Sequence, residues 1–172
     1  MPGFGCYPAD MPQIAHHEVI PSPIGSIGFC FAADGALVEI DLPYKSARRR
    51  SAGPRPAGAP GRAELRRWLT AFCRGEQAEF PGKWRLPKNG TFAHKVWREV
   101  HRVRPGAVRT YQEIAARCGS PRAARAVGNA MNANPLPLLI PCHRVIASQG
   151  LGGFGGGLTL KKRLLALENA DY

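Results

Sequence analysis

Apolar and polar positions alternate with a period of two in three early stretches, residues 14–20, 26–31 and 36–42, and in the second of these Ile27, Phe29 and Phe31 fall on one side. That period predicts strands. Ala33-Asp34-Gly35, between the last two stretches, predicts a hairpin turn. Further on the period lengthens to that of a helix. Leu65, Trp68, Leu69 and Phe72 recur over residues 62–74; Phe92, Val96, Trp97, Val100 and Val103 form a second stripe; Leu160, Leu164, Leu165 and Leu167 form a third over residues 158–169. His94 and His101 lie outside or at the border of the second stripe and read as surface residues.

Between the second and third stripes the punctuation is explicit. Thr110 with Glu113 three residues on makes a capping box, Cys118-Gly119 makes a break, and Ser120-Pro121 reads as an N-cap with proline in the first helical position. Two short helices around a tight turn follow, the sequence form of a helix-turn-helix. The second helix carries Arg122 and Arg125 one turn apart among Ala123, Ala124, Ala126, Gly128 and Ala130. A slim helix with projecting arginines suits a nucleic-acid groove; a plain alanine-rich packing helix is the alternative.

Prolines and glycines divide the rest. Residues 46–62 hold Arg48-Arg49-Arg50 and several Gly and Pro without any hydrophobic period, and read as a mobile solvated loop, with a basic nucleic-acid-contacting arm as the alternative. Residues 82–90 read as the link between an N-terminal unit, 1–88, and a C-terminal unit, 89–172. From Pro135 to Pro141 three prolines predict an extended path toward Cys142, and six glycines in residues 150–157 predict a loop that can close on a ligand.

Charge adds a partner class. Twenty-four Lys and Arg against twelve Asp and Glu give a net charge of +12, and residues 91–172 hold twelve of the basic residues against four acidic ones. A polyanion is the expected partner. No apolar run is long enough to span a bilayer and the first residues lack a signal-peptide core, so a cytoplasmic, membrane-free protein is expected. Five scattered cysteines do not make a disulfide framework.

The sharpest chemical signal is Ile140-Pro141-Cys142-His143-Arg144-Val145. A thiol reacts as its thiolate, and a neighbouring base and positive charge promote that form. His143 and Arg144 are of the right types. By itself the hexapeptide is equally compatible with a buried structural cysteine.

These motifs together resemble the O6-alkylguanine-DNA alkyltransferases, the methylated-DNA–protein-cysteine methyltransferases. The likeness runs through Gly90-Thr91-Phe92, Val96-Trp97, Arg104-Pro105-Gly106, Thr110-Tyr111-Gln112, Pro121 to Gly128, Asn134-Pro135, Ile140 to Val145, Gly155 to Leu158 and Lys161 to Glu168. It is weaker in Ser22-Pro23-Ile24-Gly25 and in residues 69–80. The resemblance implies an α+β protein: a small ribonuclease H-like α/β domain with antiparallel strands, then a mainly helical, winged-helix-like DNA-binding domain. It implies that the chain binds double-stranded DNA as a monomer, flips an O6-alkylguanine out of the stack and moves the alkyl group once to Cys142, with no cofactor; O4-alkylthymine is a further possible substrate.

By that resemblance His143 takes the thiol proton through a water, Glu168 orients the imidazole, Asn134 hinges the reader helix to the pocket, and Tyr111 presses on the phosphate and protonates the leaving guanine. Arg125 fills the place of the flipped base. Gln112, Ser120, Arg122, Ala123, Ala124 and Ser148 complete the DNA surface, and Val145, Phe154 and Gly155 line the substrate pocket. Phe154 stands where many relatives carry tyrosine, which bears on alkyl-size preference. Some relatives hold a structural zinc, but Cys6, Cys30, His16 and His17 do not have the spacing expected for it, so no metal is predicted. A lesion-binding relative without transfer, a transcriptional regulator and a cysteine hydrolase are the competing readings.

Overall fold

A computed structural model describes residues 13–43, 53–87 and 90–172. Cys6, Arg48-Arg49-Arg50 and part of the expected 46–62 loop lie outside the described residues. Three strands, β1 (His16–Ile20), β2 (Ile27–Phe31) and β3 (Leu37–Asp41), form an antiparallel meander in that order. The register pairs His17 with Cys30 and Gly28 with Asp41, and a bulge interrupts it at Cys30/Phe31. The hairpin expected at Ala33-Asp34-Gly35 is present. Gly35 takes φ +78°, and Asp34 accepts from the Ala36 amide at 3.2 Å, the local side-chain bond that favours Asp in turns.

Helix α1 (Arg62–Cys73) packs its buried Leu65, Trp68 and Leu69 on the sheet. Trp68 meets Phe29 edge-on at 6.1 Å and Phe80 at 5.3 Å. Burial of such rings is the main source of stability here, ~3–5 kcal/mol for each large aromatic deleted to alanine. After Gly75, α2 (Phe92–His101), α3 (Tyr111–Arg117) and α4 (Ala124–Asn132) pack on one another. Trp97, fully buried at the centre, donates to the Ala130 carbonyl at 2.8 Å and so ties α2 to α4. The last helix, α5, spans Gly157–Leu167. Two short strands absent from the sequence reading, β4 (Arg109–Thr110) and β5 (Val145–Ile146), pair in parallel.

Two sequence expectations need correction. Helix α4 begins at Ala124, not at Pro121: the Ala123 amide donates to the Ser120 carbonyl at 2.9 Å, closing a turn over Pro121 and Arg122, and Ser120 makes no capping bond. The path from Pro135 to Pro141 is not extended. It folds back where the Ile140 amide meets the Leu136 carbonyl at 2.8 Å, with Leu138 at φ +79°. Proline forbids helix but does not forbid a turn, and a left-handed leucine persists only where its surroundings hold it.

Candidate active site and nucleic-acid interface

Asn134 holds that turn. Its side-chain amide donates to the Ile140 carbonyl at 2.8 Å and its oxygen accepts from the Leu136 amide at 3.0 Å, both buried. The chain leaves the turn through Pro141 into a single 3-10 turn, Cys142–Arg144. Cys142 is therefore on a helical turn rather than on the extended segment its prolines suggested. It is 7% exposed and opens on a cleft whose wall includes Asn134, Met131, Phe154 and Gly155. Ile40 and Leu42 of the N-terminal half line the same cleft. The Ile40 amide is bonded to the Pro135 carbonyl at 2.8 Å, which fixes the sheet to this wall.

Behind the thiol is a buried charged network. His143 is fully buried between Phe72 and Phe154, and its Nε2 is 2.9 Å from Glu168 Oε1. Arg144 donates to both Glu168 oxygens, at 2.9 and 2.7 Å, and to the Val103 carbonyl. Burial by itself would raise the Glu168 pKa, but the hydrogen bonds and charges of His143 and Arg144 bring it down to about 2. A carboxylate so held only accepts, which assigns the Nε2 proton to His143. Nδ1, with no hydrogen-bond partner among the described residues, is then the basic nitrogen. Burial holds the His143 pKa below its ordinary value despite Glu168, so the imidazole is neutral and able to accept a proton.

Tyr111 does not line the cleft, but it lies near enough to Cys142 to feel its charge, because β4 pairs with β5 immediately after the 3-10 turn. The capping box expected at Thr110 is present, with the Glu113 carboxylate 2.7 Å from the Thr110 amide and the Glu113 amide 3.1 Å from the Thr110 hydroxyl. The Tyr111 hydroxyl donates to the Gly153 carbonyl at 3.1 Å. Burial, and then the Cys142 charge, push its pKa up, keeping it a protonated donor.

Lys161 was missed by sequence reasoning. It is fully buried, and Nζ donates to the carbonyls of Val145 and Leu151 at 2.6 Å and of Gly153 at 3.1 Å, clamping the glycine loop to the end of the 3-10 turn. Burial lowers its pKa to about 8, while a Cys142 thiolate acts to raise it. The sequence signals were a lysine within the apolar repeat of the last helix and its place at the head of the Lys161 to Glu168 likeness, neither of which assigned it a role. Val145, expected on the pocket wall, is not among the residues lining the cleft and is fully buried: its carbonyl accepts from Lys161 and its amide donates to the Cys142 carbonyl. Phe154 and Gly155 are on the wall as expected.

The candidate nucleic-acid surface lies on α3, the 120–123 turn and α4. Gln112, Arg122 and Arg125 are exposed there, as is Ser148 in the turn after β5, whereas Ser120, Ala123 and Ala124 are half-buried. Gly119 takes φ +76°, the left-handed conformation that ends α3. Arg125 falls in the first turn of α4 and Arg122 in the preceding turn, so the two arginines do not share a helix face. Helix N-termini attract phosphate.

A thiol in a cleft, a neutral imidazole braced by a buried carboxylate, and a basic helix-turn-helix together define a DNA-reading protein with a cysteine nucleophile. A family model described as 6-O-methylguanine DNA methyltransferase, DNA binding domain, matches residues 91–170. The human methylated-DNA–protein-cysteine methyltransferase is 39% identical over 166 residues, 87% of this chain and 78% of the human protein. Its Mycobacterium bovis counterpart is 37% identical over 161 residues, 90% of this chain and 93% of that one. Among solved structures, Mycobacterium tuberculosis OGT in complex with DNA aligns with a TM-score of 0.76 and 35% identity, covering 90% of this chain and 92% of that one. The chain belongs to the methylated-DNA–protein-cysteine methyltransferase family. No described helix is long and apolar enough to cross a membrane.

Proposed function

We propose that this protein repairs double-stranded DNA by moving the alkyl group of an O6-alkylguanine irreversibly to its own Cys142. The observation that carries the reading is Cys142 on the cleft wall beside a neutral His143 held by Glu168. Residues 1–88 act as an α/β domain that completes the pocket wall, and residues 89–172 as the DNA-binding and catalytic domain.

The alkylated O6 lies inside the base stack, so the nucleotide is flipped into the cleft at a cost of a few kcal/mol. Arg125 takes the vacated place. Tyr111 presses on the rotating phosphate, and Gln112, Ser120, Arg122 and Ser148 hold the backbone while Ala123 and Ala124 let α4 approach the minor groove. His143 Nδ1 takes the Cys142 proton through a water, with Glu168 stabilising the imidazolium. The thiolate attacks the alkyl carbon in line; the carbon–sulfur bond forms as the carbon–O6 bond breaks, and the electron pair leaves on guanine. Tyr111 protonates the guanine. Lys161 holds the glycine loop that carries Phe154 and Gly155 against the base. Water does not cleave the resulting thioether, so each molecule reacts once. The work is done in the cytoplasm, by a monomer, without a cofactor.

Intact and peptide mass spectrometry after mixing with a duplex containing one O6-methylguanine tests this. One methylene should be gained on the Cys142 peptide, saturating at one per protein and absent in Cys142→Ala. Tight lesion binding with no mass gain points to a damage sensor or regulator instead, and turnover of an ester or peptide to a hydrolase. A duplex with O4-methylthymine, run alongside, defines the substrate range.

A further inference from the structure

A ring that covers the base comes from the first helix, about seventy residues away in sequence. Phe72, on the last turn of α1, meets the His143 imidazole edge-on at 6.2 Å with the planes 80° apart, and Phe154 meets it from the glycine loop at 6.5 Å and 82°. His143 is fully buried and Phe72 half-buried, outside the residues that line the cleft. We propose that Phe72 is a positioning residue for His143, one that keeps water from the imidazole and fixes its plane. The kinetic consequence rests on the alkyl-transfer reading; the contact does not.

Two sets of contacts hold Phe72 in place. Trp68, one turn earlier on α1, stands behind it at 6.0 Å and packs in turn on Phe29 of β2 and on Phe80. A continuous row of rings therefore runs from the sheet to the imidazole. On the other side α1 ends where the Gly75 amide donates to the Phe72 carbonyl at 3.0 Å, and the bare Gly75 lets that end lie against the Leu167 carbonyl, next to Glu168. Glu168, which holds His143 by a hydrogen bond, and Phe72, which holds it by ring contact, are brought to one place by this closure.

Both effects bear on a base. The imidazole turns about a broad torsion, and turning it over exchanges ring nitrogens for carbons. Glu168 fixes one nitrogen and the two rings fix the plane, so Nδ1 keeps the place where it is the basic nitrogen. Burial is the largest influence on His143 and opposes its charge; Glu168 favours that charge, and Arg144 and Lys161 oppose it. To this set α1 adds an uncharged ring. Because Phe72 is itself only half-buried, shortening it opens the imidazole to solvent instead of leaving a closed apolar void, and water favours the imidazolium.

The test is a pair of titrations on the full-length protein. ¹⁵N-histidine NMR, with the His143 signals assigned by their loss in His143→Asn, reads its tautomer and titration directly. Single-turnover methyl transfer from an O6-methylguanine duplex reads the limb on which the rate rises with pH. In the parent His143 should carry its proton on Nε2 and titrate below the ordinary 6.5. Phe72→Ala should raise that titration by about one pH unit, a share of the roughly 3–5 units that full burial moves a group. The rising limb should move with it, making transfer about tenfold slower at any pH on that limb. Phe72→Leu, which keeps an apolar cover, should hold both near the parent's values, and Phe72→Val should shift them in the same direction by less, which decides the matter where Phe72→Ala does not fold. Leu65→Ala, a cavity in the fully buried face of the same helix, should lower Tm and shift neither. A parent His143 that titrates at its ordinary value, an unshifted titration in both Phe72→Ala and Phe72→Val, or an equal shift in Leu65→Ala would overturn the proposal. The NMR arm needs no alkyl transfer, so a failure of the transfer reading is seen separately from a failure of this one.

Discussion

Replacing Glu168 by glutamine keeps the side-chain shape and removes its charge. A carboxylate held at about 2 rather than 4.5 contributes about 3 kcal/mol at neutral pH, at roughly 1.4 kcal/mol per pH unit. An independent route gives a similar size. Arg144 is 7% exposed and pairs with Glu168, and removing one partner of a buried pair costs ~3–5 kcal/mol. For a chain of this length that lowers Tm by roughly 6–12 °C. The folded pKa is depressed, so the contribution is fully present above about pH 4.5 and is lost as the pH falls toward 2. The Tm difference between parent and Glu168→Gln should therefore be full at pH 7 and shrink below pH 4.5. With His143 no longer braced, methyl transfer should slow about 100-fold, the low end of what positioned acid–base groups supply. Differential scanning calorimetry across pH and single-turnover transfer assays read both quantities. A variant that melts with the parent at pH 7 and transfers at the parent's rate would refute the network argued above.

Gly75 takes φ +73°, and a Cβ there would lie 2.4 Å from the Leu167 carbonyl oxygen; Gly75→Ala should destabilise by about 1–3 kcal/mol in urea titration, and an unchanged midpoint would exclude that backbone contact. Arg125→Ala should leave Tm unaltered, slow methyl transfer from duplex DNA, and spare transfer from the free base O6-methylguanine; equal losses on both substrates would remove Arg125 from the flipping step. Lys161 titrates at about 8, so its clamp on the glycine loop loses charge above that pH. The transfer rate should carry a descending limb near there that is missing from Lys161→Met, and an identical pH profile in both proteins would count against the clamp.

Much of the fold could be read from local chemistry. The alternation in the three strands, the Thr110–Glu113 box and the left-handed Gly119 act within a few residues, and each is found where expected. Ser120-Pro121 misled because a turn and a helix start use the same two residues, and only the Ala123 amide's choice of the Ser120 carbonyl separates them. The 136–140 turn depends on both ends of the Asn134 side chain, which no periodicity encodes. At the site, Cys142, His143 and Glu168 were legible through motif resemblance. The double grip of Arg144 on Glu168, the burial of Lys161 and the two-residue pairing of β4 with β5 were not, because each joins segments distant in sequence.

Ile40 and Leu42 precede Cys142 by about a hundred residues, yet they form part of the wall around it. Recombining the front of one such protein with the back of another would therefore carry over a piece of the cleft along with the sheet. A chimera with an intact nucleophile and reader helix would inherit its tolerance for bulky adducts from both parents. Attempts to widen or narrow that tolerance have a starting point in strand β3, at positions no catalytic motif marks.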